Sequence, residues 1–190
     1  MYNILDTFSI ISLLNAGLDN IGEIISSYKP RLGRNEMFSI DGVPVILNLS
    51  KNRVGLNQNI SAMLNDPRQK DVIVAVNDNG SDGKDVSWLW DVDFERMTEK
   101  DFSRFSASGG RAEDVYIRMK HADIPLDAVL FEKDCEKATK ELLKDKSEVM
   151  YVLVNYTLLF GIWQFLKKYS KTGGEMGCNR YELPIYIMSS

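Results

Sequence analysis

Histidine is almost missing from this chain: His121 is the only one among 190 residues. A self-contained Ser-His-Asp or Cys-His enzyme needs an imidazole next to its nucleophile, so that class is excluded in practice. His121 itself falls on the polar-to-intermediate side of an amphipathic pattern and reads as solvated or packed. Cysteine is nearly as scarce, and Cys135 and Cys178 lie far apart without metal-type spacing. That argues against a disulfide framework and for a reduced, cytoplasmic setting. There is no excess of basic residues. Lys and Arg number 23 against 27 Asp and Glu, for a net charge of −4, so no nucleic-acid surface is expected. The most apolar stretch, 149–166, is broken by Asn155 and Gln164 and is no membrane span. The opening residues lack the basic start and cleavage site of a signal peptide. Nucleotide loops are missing too. Gly83-Lys84 has Asp78 where a P-loop needs its first glycine and Asp85 where it needs Ser or Thr, and Gly109-Gly110 lacks dinucleotide-loop spacing. The chain is not expected to bind and hydrolyse ATP unaided.

What is present is an ordinary globular composition, 44% hydrophobic and 26% charged, with enough length for one domain and a full core. Its most unusual stretch is 77–95, Asn-Asp-Asn-Gly-Ser-Asp-Gly-Lys-Asp-Val-Ser-Trp-Leu-Trp-Asp-Val-Asp-Phe-Glu. The continuous β-branched run 71–76 leads into it and reads as a strand buried on both faces. Asn-Asp-Asn-Gly then forms a turn.

Along the chain, 3–15 has helical apolar spacing and Asp19 begins a second short helix. A hairpin around Asp41-Gly42 leads to a first core strand ending at Leu49, then a polar loop and a helix over about 58–65. Strands are expected over 102–108, 128–131 and 148–154. Helices are expected after Gly109-Gly110, with Ala112, Val115, Met119 and Ala122 as the apolar stripe, over 134–143, and over 155–168. The last is apolar on nearly every side, so either the core or a partner must cover it. Strands alternating with helices predict an α/β fold: a three-layer, mostly parallel sheet with helices on both faces. Ligands of such sheets sit beyond the carboxyl ends of the strands. Three predicted strands run there into polar residues: Ser50-Lys51-Asn52, Asn77-Asp78-Asn79 and Asn155.

Asp78, Asp82, Asp85, Asp91 and Asp93 do not fall in the register of a calcium loop, and no metal site is expected. Turn formation explains most of them, but not Trp88-Leu-Trp90 beside Asp91 and Asp93. Aromatics beside carboxylates either desolvate and fix an acid or mark a protein contact. Lys51 and Asn52 could meet a phosphate or a ribose, or simply be solvated at a strand end.

Four segments in order, 50–58, 77–91, 108–114 and 155–157, resemble the C-terminal domain of the MurT family, the Mur-ligase-like subunit of lipid II isoglutaminyl synthase. The Asp-Gly-x-Asp-x-Ser-Trp-x-Trp-Asp run is the most specific of them, and the likeness extends over about 2–168. It implies a Rossmann-like Mur ligase C-terminal domain over 1–170, with 171–190 as an extension beyond the family's usual ending. It further implies a share in the ATP- and glutamine-dependent amidation of the stem-peptide D-glutamate of lipid II. In that reaction ATP activates the carboxylate as an acyl phosphate, and ammonia from a GatD-type glutaminase attacks it. The glutaminase supplies cysteine and histidine, and an aspartate near the tryptophan motif completes the triad across the interface, Asp91 first and Asp93 second. Lys51 and Asn52 match the loop that closes over ATP held on the central Mur ligase ATPase domain. ATP and Mg belong to the complete enzyme, with neither held tightly by this chain alone. Family members usually read Lys-Asn-Pro-Ala-Gly where Arg53 and Val54 stand here. The alternative is a non-catalytic module, docking a glutaminase or another cell-wall protein through the apolar helix.

Overall fold

The apolar runs that dominate the sequence lie side by side because each must be covered on two faces. The computed structural model describes residues 2–13, 32–98 and 101–172. These fall into two compact units divided after Arg31. In the first, one helix, α1 (Tyr2–Leu13), is described. The expected second helix at Asp19 and all but the first two residues of the expected extension 171–190 lie outside the described residues.

The second unit is a six-stranded sheet with the order β1-β2-β6-β3-β4-β5. Strands β1 (Glu36–Ile40) and β2 (Val43–Leu49) form the expected hairpin, and all remaining pairings, including β2 with β6, are parallel. The hairpin turn uses Asp41 at φ 50° and Gly42 at φ 84°, the paired left-handed conformations that a two-residue connection requires.

After β2 come α2 (Arg53–Leu64), β3 (Lys70–Ala75), two 3-10 turns (Ser87–Asp91 and Phe94–Thr98) and β4 (Phe102–Ser108). Then follow α3 (Ala112–His121), β5 (Val129–Phe131), α4 (Cys135–Leu143), β6 (Val149–Val154) and α5 (Tyr156–Thr172). Helix α2 begins at Arg53 rather than near residue 58, because the Asn52 side chain caps it, accepting from the Gly55 amide at 2.9 Å. The polar loop expected there is therefore mostly first helical turns.

Strand side chains alternate between two cores. Val72, Val74, Tyr151 and Leu153 face one, with Leu56, Ile60 and Met63 of α2, Val115 and Met119 of α3, and Leu89, Val92, Phe94 and Met97 of the 3-10 turns. Ile73, Ala75, Met150 and Val152 face the other, with α4 and α5. Chain direction explains the split. Connections from β2 through β5 step one way across the sheet, and the β5-to-β6 return steps the other way. Right-handed crossovers thus place α2 and α3 on one face and α4 on the opposite one. Helix α5 buries Leu159, Ile162, Phe165 and Leu166, leaving Tyr156 and Phe160 exposed. The core therefore covers most of the apolar surface for which the sequence had allowed a partner.

At the amino end of the strands, the buried Asp66 accepts from Tyr151 Oη at 2.7 Å and pairs with Arg68 at 2.6 Å. Burial alone would raise its carboxyl, but the hydrogen bonds from Arg68 and Tyr151 outweigh this and hold it below the usual range. A depressed carboxylate contributes stability that is full above its unfolded value near pH 4 and is lost as pH falls through the lower folded value. Asp66→Asn is accordingly expected to flatten the acid limb of the urea midpoint plotted against pH, and to cost about 1–3 kcal/mol at pH 7.

Candidate functional site at the carboxyl ends of the strands

β2, β6 and β3 are neighbours, so the three polar strand ends expected from the sequence lie side by side, but only those of β3 and β6 interlock, while Lys51 and Asn52 line a cleft of their own. Asn155, buried just after β6, locks onto the end of β3. Its Oδ1 accepts from Asn77 N at 3.1 Å and its Nδ2 donates to Asn77 O at 2.7 Å. The Asn77 side chain reaches onward, donating to Thr157 Oγ1 at 3.0 Å and accepting from Gly110 N at 2.7 Å. Asp82 returns to α5, accepting from Thr157 N at 3.0 Å and from its hydroxyl. Asp78 pairs with Arg111 at 3.2 Å, and Asp85 accepts from Ser87 N at 2.8 Å. Hydrogen bonding from Ser87, through its side chain first and its amide second, lowers the Asp85 carboxyl. Three of the five aspartates are thus engaged within the fold, Asp82 and Asp85 on backbone amides and Asp78 in an ion pair.

The Trp motif divides into anchor and surface. Val86, Leu89 and Val92 recur every third residue, which is the 3-10 period, and all three are buried. Trp88 is half-buried against the same core, whereas Trp90 is 53% exposed and packs its ring 5.4 Å from that of His121. This places the lone histidine at the surface, with a tryptophan as its ring partner.

Asp93 is exposed but engaged. Asn57 on α2 donates to its carboxylate at 3.0 Å and accepts from its amide at 3.0 Å. Asp91 is also exposed, but no described residue hydrogen-bonds or pairs with its carboxylate. It stands between the buried Leu89 and Val92, on a backbone held from two sides. Arg118 on α3 donates to Val92 O at 2.5 Å and pairs with Glu95 at 2.8 Å. The guanidinium holds the Glu95 carboxyl below its ordinary range. On the other side, Asn57 of α2 accepts from the Asp93 amide, and Arg96 donates to Ser61 of the same helix at 2.9 Å. Asn57 and Arg118 escaped the sequence reading because their partners lie 36 and 26 residues away.

Lys51 and Asn52 lie elsewhere, on an open cleft of about 430 Å³ that also takes in Arg34, Asn35, Gln58 and Asn59. Lys51 is exposed, and Asn52 spends its Oδ1 on the helix cap. The lining holds two cations and several amides but no carboxylate. That donor set fits a phosphate-bearing ligand and does not fit a bare metal ion. Helix α2 joins the two regions: Gln58 and Asn59 line the cleft, and Asn57 holds Asp93.

Mur ligases are among the solved structures with this architecture. MurF from Thermotoga maritima in complex with ADP superposes with a TM-score of 0.63 at 16% identity, over 90% of this chain and 38% of that one. MurF from Acinetobacter baumannii gives 0.62 at 10% identity, over 83% and 35%. The fold is therefore that of a Mur ligase C-terminal domain. Within that class the chain belongs to the MurT ligase C-terminal family, whose profile matches residues 49–159. The MurT subunit of lipid II isoglutaminyl synthase (glutamine-hydrolyzing) from Staphylococcus aureus (strain COL) is 29% identical over 174 residues. That from Streptococcus pneumoniae (strain ATCC BAA-255 / R6) is 29% identical over 166 residues. These alignments take in 92% and 87% of this chain but 39% and 37% of the relatives, so the chain spans about two fifths of their length.

Proposed function

We propose that this chain acts as the C-terminal domain of an ATP-dependent, glutamine-hydrolysing amide ligase that amidates the stem-peptide D-glutamate of lipid II. The observation that carries the reading is Asp91: a solvent-facing carboxylate without a partner among the described residues, set on a backbone fixed by buried neighbours. In the proposed complex Asp91 accepts from the imidazole of a GatD-type glutaminase, orienting it and stabilising its protonated form, as a triad acid does. Asp93 is the second candidate, with Asn57 already competing for its carboxylate.

The cleft at Lys51 and Asn52 takes the role of closing over ATP held on the central ATPase domain. Lys51 meets phosphate charge, Asn52 caps α2, whose first turn lines the cleft at Val54 and Gly55, and Arg34 adds a second cation. ATP supplies the activation of the carboxylate. With no acid in the lining, Mg would be held by the nucleotide and the ATPase domain. Residues 1–170 form the family domain in this reading, 171–190 extend it, and the reaction runs on the cytoplasmic side of the membrane that carries lipid II.

Reconstitution tests this proposal. The complete ligase is expected to amidate lipid II only with ATP, glutamine and the glutaminase together, and Lys51→Ala should raise the KM for ATP about tenfold through a lost charged contact. Binding of a glutaminase with no effect on its turnover, from the wild-type chain or from Asp91 and Asp93 variants, would favour the docking-module alternative.

A further inference from the structure

Arg118 is a buried charge whose cost the packing alone does not justify. Its side chain is 5% exposed, and its guanidinium lies over the Phe94 ring at 5.3 Å. Its Nε is the one buried side-chain nitrogen or oxygen without a partner among the described residues. An apolar side chain of similar volume would fill this place between α3 and the 3-10 turns without desolvating a cation. What arginine adds is directional. One Nη2 holds both Val92 O at 2.5 Å and the Glu95 carboxylate at 2.9 Å. Val92 follows Asp91 directly, and its carbonyl belongs to the peptide that leads into Asp93. Arg118 from α3 and Asn57 from α2 therefore clamp opposite sides of the same few atoms of backbone.

We infer that Arg118 is a positioning residue for Asp91, fixing the backbone from which that carboxylate reaches a partner's imidazole; this rests on the Asp91 reading above. The acid must lie within hydrogen-bond reach of the ring, about 2.6–3.2 Å. A displacement of about 1 Å at such a group can cost about 10²-fold in rate. A loose surface turn would spend each turnover searching for that geometry, whereas a turn pinned through its main chain does not.

A double-mutant cycle in the complete ligase with its glutaminase separates positioning from mere structure. Arg118→Met keeps the apolar volume and removes the donors. It is expected to lower the kcat of glutamine hydrolysis at least tenfold, with the KM for glutamine within twofold. In an Asp91→Asn background the same substitution should change kcat by less than twofold, because the group it positions is already lost. Arg118→Lys, which keeps the charge but not the fork, should fall between, and it carries the test if the methionine variant does not fold. Val115→Ala, one turn earlier on α3 in the same core, should lower Tm with kcat within twofold. The inference is overturned if Arg118→Met has wild-type kcat, if its loss is multiplicative with Asp91→Asn, or if Val115→Ala loses as much activity. If Asp91→Asn by itself leaves kcat unchanged, the Asp91 reading fails first, and the cycle shows which of the two was wrong.

Discussion

Asp91→Asn, made in the complete ligase, is expected to cut glutamine hydrolysis by about 10³–10⁴-fold, the scale of losing a triad carboxylate while keeping its shape. The amide is nearly isosteric, and the Asp91 carboxylate bonds to no other described residue, so Tm should stay close to wild type. Amidation supplied with free ammonium should survive, because only the release of ammonia from glutamine needs the imidazole. Initial rates of glutamate release, beside amidation rates with glutamine or ammonium, measure this directly. Asp93→Asn should have the smaller effect, since the Asp93 carboxylate is held at 3.0 Å by Asn57. If instead Asp93→Asn abolishes hydrolysis and Asp91→Asn does not, the roles of the two acids are exchanged.

Among the described glycines, Gly109 is expected to tolerate alanine least, with Gly109→Ala costing about 3–5 kcal/mol by urea unfolding. Gly109 sits at φ 86°, and a Cβ there would come within 2.4 Å of Val76 O and 2.7 Å of Val76 N. Those contacts are backbone of the segment leaving the central β3, which cannot give way as a flexible side chain could. The close approach has a purpose. Arg111 N donates to Val76 O at 2.9 Å, and Gly110 N reaches Asn77 Oδ1 at 2.7 Å. The turn that opens α3 is thereby strapped against the end of β3, and α3 in turn carries Arg118. A stability loss within about 1 kcal/mol of wild type would show that β3 and α3 have room between them.

The parts of this fold legible in the sequence are those that repeat a simple period. Runs such as Val72-Ile73-Val74-Ala75 announce a strand covered on both faces, because each residue belongs to one of two cores. Asp41-Gly42 announces its hairpin through backbone conformations other residues avoid. Ala112, Val115 and Met119 show their helix by spacing. The double 3-10 segment was harder. Its signal was present in Val86, Leu89 and Val92, three apart, but tryptophans and aspartates between them read as a loop. The start of α2 is hidden in the sequence because Gly55 and Asn57 look like loop residues, while a capping asparagine outweighs them locally.

The site divides in the same way. Asp91, Asp93, Lys51 and Asn52 could be named from residue type and resemblance. Their differences could not, since Asn57 holds Asp93 and leaves Asp91 only through contacts 36 residues apart. Nor could Arg118, an unremarkable residue of a surface helix until the 3-10 turns fold over it.

The structure of the assembled ligase with its glutaminase is the most direct test. The account predicts an Asp91 carboxylate oxygen within about 2.6–3.2 Å of a nitrogen of the glutaminase's catalytic imidazole. An imidazole supported by an acid of its own subunit, with Asp91 still facing solvent in the complex, would contradict it.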